Sequence, residues 1–133
     1  MTDKEINDVL LEAVSKFGKL IGLSSVKLTA KQLKTCSARK DFNSKAKDPF
    51  FDAKNALISS GKVLEDEKEK GLLTGIVYAG AANLNPAVVS VKVEGSRVYI
   101  QAYAKEGLIK QKTAEKAVKT VIRELENSEK DNL

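Results

Sequence analysis

Two Ser-x-x-Lys arrangements, Ser37-Ala38-Arg39-Lys40 and Ser59-Ser60-Gly61-Lys62, bring this chain nearest to a nucleophile beside a base. Acyl-enzyme families use that spacing for a serine that attacks a carbonyl, but their companion motifs are missing here. Gly61-Lys62 would close a phosphate-cradling loop if glycine stood at 56 and Ser or Thr at 63; those positions hold Ala56 and Val63. Lys92-Val93-Glu94-Gly95 has the outline of a nucleotidyl-lysine motif, and a hairpin turn accounts for the same residues. The chain has no His, which excludes a Ser-His or Cys-His relay, an imidazole base and an imidazole metal ligand. One cysteine, Cys36, makes neither an internal disulfide nor a multi-thiolate zinc site, and no Asp/Glu cluster has calcium-loop spacing. The expectation is a protein without catalytic residues, metal or cofactor.

Charge points to binding instead. Lys27, Lys31, Lys34, Arg39, Lys40, Lys45 and Lys47 face a single anion, Asp41, between positions 26 and 47, a net +6. The remaining positions hold 16 cations and 17 anions, so the net charge of +5 comes from that one segment. Such a segment suits phosphates, an anionic membrane or an acidic partner, or serves as a solvated face. The cations are 20 Lys and 3 Arg. Lysine supplies charge with little geometry, so contact with a nucleic acid would fall on its backbone and carry little sequence specificity.

A second group is aromatic. Tyr99 and Tyr103 alternate with Arg97 and Gln101, and Lys92 falls opposite Tyr99 across a hairpin. Tyr78, with Ile76 and Thr74, joins the same face if the preceding strand lies beside them. Tyr78, Tyr99, Tyr103 and Lys92 are therefore candidate contacts on a sheet face. That face is read as core or a homodimer contact in preference to a base-stacking platform.

The elements that must position these groups emerge from periodicity. Thr2 and Glu5 form a capping box ahead of Ile6, Val9, Leu10, Ala13, Val14, Phe17, Leu20 and Ile21, one helical stripe that Gly22 ends. Thr29 and Gln32 cap a short helix ending near Arg39, with Leu33 and Cys36 inward, and residues 37–47 read as a loop anchored by Phe42. Asp48-Pro49 starts another helix, split by Gly61 and ending in the charged run 65–70. Residues 72–82 and 87–104 read as three strands. Glu94-Gly95-Ser96-Arg97 predicts a type II′ hairpin that pairs Val93 with Val98, Val91 with Ile100 and Val89 with Ala102 on an apolar face. Its other face pairs Glu94 with Arg97, Lys92 with Tyr99, Ser90 with Gln101 and Val88 with Tyr103. A last helix runs from about Ala114 to Glu126, and 127–133 read as a disordered tail.

The fold class is thus α+β: N-terminal helices, a three-stranded antiparallel sheet and a C-terminal helix on one sheet face, in a single domain over 1–126. The helix, three strands and helix from Pro49 to Glu126 resemble a double-stranded-RNA-binding domain, with Lys110, Lys112, Ala114 and Ala117 similar to the start of its last helix. The stretch from Val91 to Leu125 resembles BON domains and the alkaline-shock family equally well, so no residue role is carried over. With no leader-like start and no apolar run of membrane length, the protein is expected in the cytosol. The expected function is a small non-enzymatic binding or adaptor module acting through protein-protein contacts or homo-oligomerisation. The alternative is low-specificity nucleic-acid binding through 26–47.

Overall fold

Thr2 and Glu5 start the first helix as their spacing predicts. The Glu5 amide donates to the Thr2 hydroxyl (3.2 Å), and the Thr2 amide donates to the Glu5 carboxylate (3.5 Å). The computed structural model describes residues 1–24, 28–79, 85–106 and 112–131. Its elements run α1 (Asp3–Phe17), α2 (Ala30–Cys36), β1 (Ser37–Asn43), α3 (Pro49–Ser60), β2 (Gly61–Glu67), β3 (Leu72–Ala79), β4 (Asn85–Glu94), β5 (Arg97–Tyr103) and α4 (Thr113–Asp131). The apolar stripe of α1 buries Ile6, Leu10, Ala13 and Val14, but Leu20 is exposed. From Gly18 to Ile21 the backbone tightens into a 3-10 turn, and its larger rotation per residue carries Leu20 off the stripe while Ile21 stays buried.

The strands make one antiparallel sheet ordered β1-β5-β4-β3-β2. The β4–β5 register is the predicted one at all seven pairs, from Val88↔Tyr103 to Glu94↔Arg97. Gly95 takes φ +62 whereas Ser96 is not left-handed, which is the type II′ turn expected of Gly at its first central position. The register holds because a one-residue slip would turn Val89, Val91 and Val93 away from the helices that bury them. Residues Leu73, Val77, Val89, Val91, Val98 and Ile100 form one face, under Ala53 and Leu57 of α3 and Ala117, Val118, Val121 and Leu125 of α4. The opposite face packs against α1 through Leu10, Ala13 and Val14, with Leu33 and Cys36 of α2 alongside.

The α+β class stands, but the sheet has five strands where three were expected, and helices cover both of its faces. Residues 37–43 are an edge strand and not a loop. Its period-2 signal is short, because Ala38 and Phe42 face the core with Lys40 between them, while Arg39 and Asp41 face the other way. Gly61 ends α3, as its breaking of the pattern suggested, yet the next element is a strand. Lys62-Val63-Leu64-Glu65 pairs with β3 around a bulge, and the charges of 65–70 hide that pairing. The second helix stops at Cys36, and the last one continues through Asp131. That last extension is anchored at a distance: Glu129 accepts the Lys45 amide (2.7 Å) and Ser128 donates to Asp52 (3.2 Å). Residues 127–131 are therefore helical, and 132–133 lie outside the described residues.

Candidate interaction edge and the covered tyrosine face

The three tyrosines share one sheet face, as the alternation implies. Cross-strand rows place Tyr99 between Lys92 and Asp41, Gln101 between Ser90 and Arg39, and Val88 between Ile76 and Tyr103; Tyr78 lies opposite Pro86, further along that face. Helix α1 crosses these rows. Tyr103 is only 2% exposed and packs with Leu10, Ala13 and Val14, and Gln101 donates to Asn7 of α1 (3.4 Å). Tyr103 is thus part of the core and offers no surface to a partner. Tyr99 is half-buried with two guanidiniums over its ring, Arg39 at 5.8 Å and Arg97 at 6.0 Å. Lys92 is half-buried and donates to the Lys70 carbonyl. Only Tyr78, 55% exposed at the end of β3, remains open.

Burial pushes the Tyr103 hydroxyl above the ordinary tyrosine range, and neighbouring Cys36 adds to the shift. The folded protein therefore holds this proton more tightly than the unfolded chain does. Stability is full below about pH 10, the unfolded tyrosine range, and falls as pH rises through the folded value. Thermal melts taken upward from about pH 9 are expected to show this fall in the wild type and a shallower one in Tyr103→Phe. Parallel alkaline limbs in the two proteins would show that Tyr103 is not held in this way.

Arg39 is placed by strand alternation beside Asp41. Its guanidinium forks onto the Asp41 carboxylate (2.9 and 3.0 Å) and reaches Asp3 at the start of α1 (2.8 Å). Asp41 first, then Asp3, holds the Arg39 pKa above its ordinary value. Arg97 completes the cluster, approaching Asp41 (3.8 Å) and donating to Asn43 (3.2 Å). This cluster ties β1, β5 and α1 together. The sequence reading missed it, although Arg39 and Asp41, two apart, share a face once 37–43 is taken as a strand.

The other basic residues remain unpaired. Lys31 and Lys34 lie on α2, Lys40 in the middle of β1, and Lys45 and Lys47 in the connection to α3; all five are exposed and make no ion pair among the described residues. Lys27 lies outside the described residues. Lys40 thus lies in the edge strand itself, and the other four lie on the segments that lead into and out of it. The edge itself has a definite polarity. The Cys36 carbonyl accepts from the Ala104 amide (3.2 Å) and the Ser44 amide donates to the Ser96 carbonyl (2.7 Å), so the even-numbered residues between them bond to β5. The N–H and C=O groups of Ser37, Arg39, Asp41 and Asn43 consequently point away from the sheet.

The second edge differs. Strand β2 is bulged at Leu64, and its flanks carry the ion pairs Lys54–Asp66 (2.6 Å) and Lys16–Glu65 (3.3 Å). Bulges and paired charges blunt an edge against further strands. Strand β1 keeps an unbroken register over its seven residues.

The Ser-x-x-Lys spacings do not assemble. Ser37 and Lys40 fall on opposite faces of β1, and the Ser37 hydroxyl donates to the Leu33 carbonyl. In the second, Ser59 is exposed at the end of α3 and Lys62 is exposed at the start of β2, across the break at Gly61. A cleft of about 260 Å³ opens between α2 and the end of β5, lined by Leu28, Gln32, Cys36, Tyr103 and Lys105 among others. No group of three or more His, Cys, Asp or Glu among the described residues is arranged to hold a metal ion, and no described helix is long and apolar enough to cross a membrane. Comparison with protein-family models, with curated proteins and with solved structures finds no match to this chain.

Proposed function

We propose that this protein is a non-enzymatic binding module that holds a protein partner along the β1 edge. The observation that carries the reading is the state of that edge. Strand β1 presents alternating free N–H and C=O groups, keeps a regular register, carries unpaired Lys40, and is flanked along the chain by unpaired lysines. A peptide strand uses both the donors and the acceptors, whereas a phosphate backbone would use the donors alone. Association through the tyrosine face is disfavoured, because α1 already occupies it.

The test removes one outward N–H and is read against Asp41→Ala, which gives up the same carboxylate, with its contacts to Arg39 and Arg97, but keeps that N–H. Asp41→Pro removes an N–H that bonds nothing in β5, and edge strands tolerate proline at such positions. Short acidic peptides are expected to bind the wild type and Asp41→Ala, and to lose at least about tenfold in affinity to an Asp41→Pro protein that still melts cooperatively. Equal affinity in Asp41→Ala and Asp41→Pro would refute the edge.

A specific observation favours nucleic acid as a second reading. Lys116, Lys119 and Arg123 recur at helical spacing on the exposed side of α4, opposite its buried face, and exposed Lys112 directly precedes the helix. Mixed-sequence duplex binding that drops steeply between ~50 and ~200 mM salt, and that Asp41→Pro leaves unchanged, would move the function to this stripe.

A further inference from the structure

The two sides of β1 set different demands on a strand laid beside it. On the side of α4, Ala38, Lys40 and Phe42 stand in a row opposite Ala102, Ile100 and Val98 of β5. Ala38 and Phe42 are half-buried at the margin of the main core, and Lys40 between them is exposed without an ion pair. On the other side, Arg39 and Asp41 already satisfy each other. A neighbouring strand places its own alternate residues about 5 Å from these three. It would extend the core at its two outer positions and meet an uncompensated ammonium at the middle one.

From this row, and resting on the β1 edge as the binding surface, we propose that the occupant is an extended segment of a partner protein with the pattern apolar-x-acidic-x-apolar. The apolar residues cover Ala38 and Phe42, and the carboxylate pairs with Lys40. The pattern reads the same in both directions, so it holds for a parallel or an antiparallel strand. The x positions face the Arg39–Asp41 pair and are permissive.

A second copy of this chain fits poorly. Antiparallel self-pairing over the full length of β1 sets Arg39 of one copy opposite Asp41 of the other, which is favourable, but it also sets Lys40 directly against Lys40 on the two-fold axis. Like charges directly opposite are destabilising in a sheet. The same pairing would join two segments, residues 31–47, that each hold six cations and one anion. Charge complementarity therefore selects an acidic partner.

The probe is a labelled peptide centred on Val-Thr-Glu-Thr-Val, compared with Val-Glu-Thr-Thr-Val and with Val-Thr-Lys-Thr-Val. The second peptide keeps the charge of the first but moves the carboxylate to the other face of the strand. Fluorescence anisotropy is expected to give at least about tenfold tighter binding of the first peptide than of either control. Lys40→Glu, a change at an exposed position, is expected to reverse the preference towards the lysine peptide. Amide exchange is followed in parallel, and protection of Arg39 and Asp41 on addition of the first peptide is expected. Equal binding of the first two peptides, with those amides protected, would overturn the pattern and leave the edge as the binding surface. Absence of protection with every peptide would overturn both.

Discussion

Replacing Tyr103 with Ala is expected to cost the fold about 3–5 kcal/mol, the range for removing a buried aromatic side chain. Tyr103 is among the largest fully buried side chains, and it fills the space between the end of β5 and the helices α1 and α2. Truncation would leave a cavity bordered by Leu10, Val14 and Val88, whose backbones belong to a helix and a central strand and cannot collapse into it. Tyr103→Phe keeps the ring and loses only a hydroxyl whose neighbour is the weakly bonding Cys36, so its cost should stay below about 1 kcal/mol. Urea denaturation of the three proteins measures both. A loss under about 1 kcal/mol for Tyr103→Ala would mean that α1 does not cover the tyrosine face, and would return that face to the candidate contacts.

Gly61→Ala is the second large effect, and its sign runs against the usual one. The φ of Gly61 is −179, outside the left-handed region, and replacing such a glycine by alanine would ordinarily stabilise by about 0.4–1 kcal/mol through the unfolded chain where the fold has room for it. In this fold a Cβ at position 61 would run into the carbonyl oxygen of Ile76, with the Val77 Cα only 3.0 Å away. Both obstacles are backbone of β3, which is held by β4 on its far side and has no room to retreat. Overpacking of this kind costs about 1–3 kcal/mol and sometimes more. The clash wins, and a net loss of about 2 kcal/mol is expected, read as a lower urea midpoint. An unchanged or raised midpoint would show that β2 does not approach β3 closely at its first residue.

The elements differ in how far their residues announced them. The β4–β5 hairpin was fully legible, because an apolar face, a polar face and the Gly95 turn all demanded one register. The capping boxes of α1 and α2 were legible for a similar reason: both partners of each lie within one helical turn. Strands β1 and β2 were not. Each lies at an edge, with half of its residues facing solvent and only two apolar side chains facing inward, so pattern alone could not separate strand from loop or helix end. Their places are fixed by distant partners, β5 for the one and β3 for the other. The candidate site shared that fate. The basic segment was visible as charge, but its place at a sheet edge, with Arg39 and Asp41 paired and Lys40 turned the other way, depended on the strand pairing. The tyrosine face was identified correctly as a face. Its covering by α1 was not legible, since the stripe of a helix does not say which surface it meets.

The proposed binding surface rests most directly on β1 being a paired strand on one side and a free edge on the other. Residue-resolved amide hydrogen exchange of the isolated protein tests this in one measurement. The amides of Ala38, Lys40 and Phe42, which bond to β5, should exchange slowly, and those of Arg39 and Asp41 rapidly, in strict alternation. Uniform protection from 38 to 42 would mean that the edge is already occupied. Uniform fast exchange would mean that residues 37–43 are not a strand, and either result would contradict the proposed binding surface.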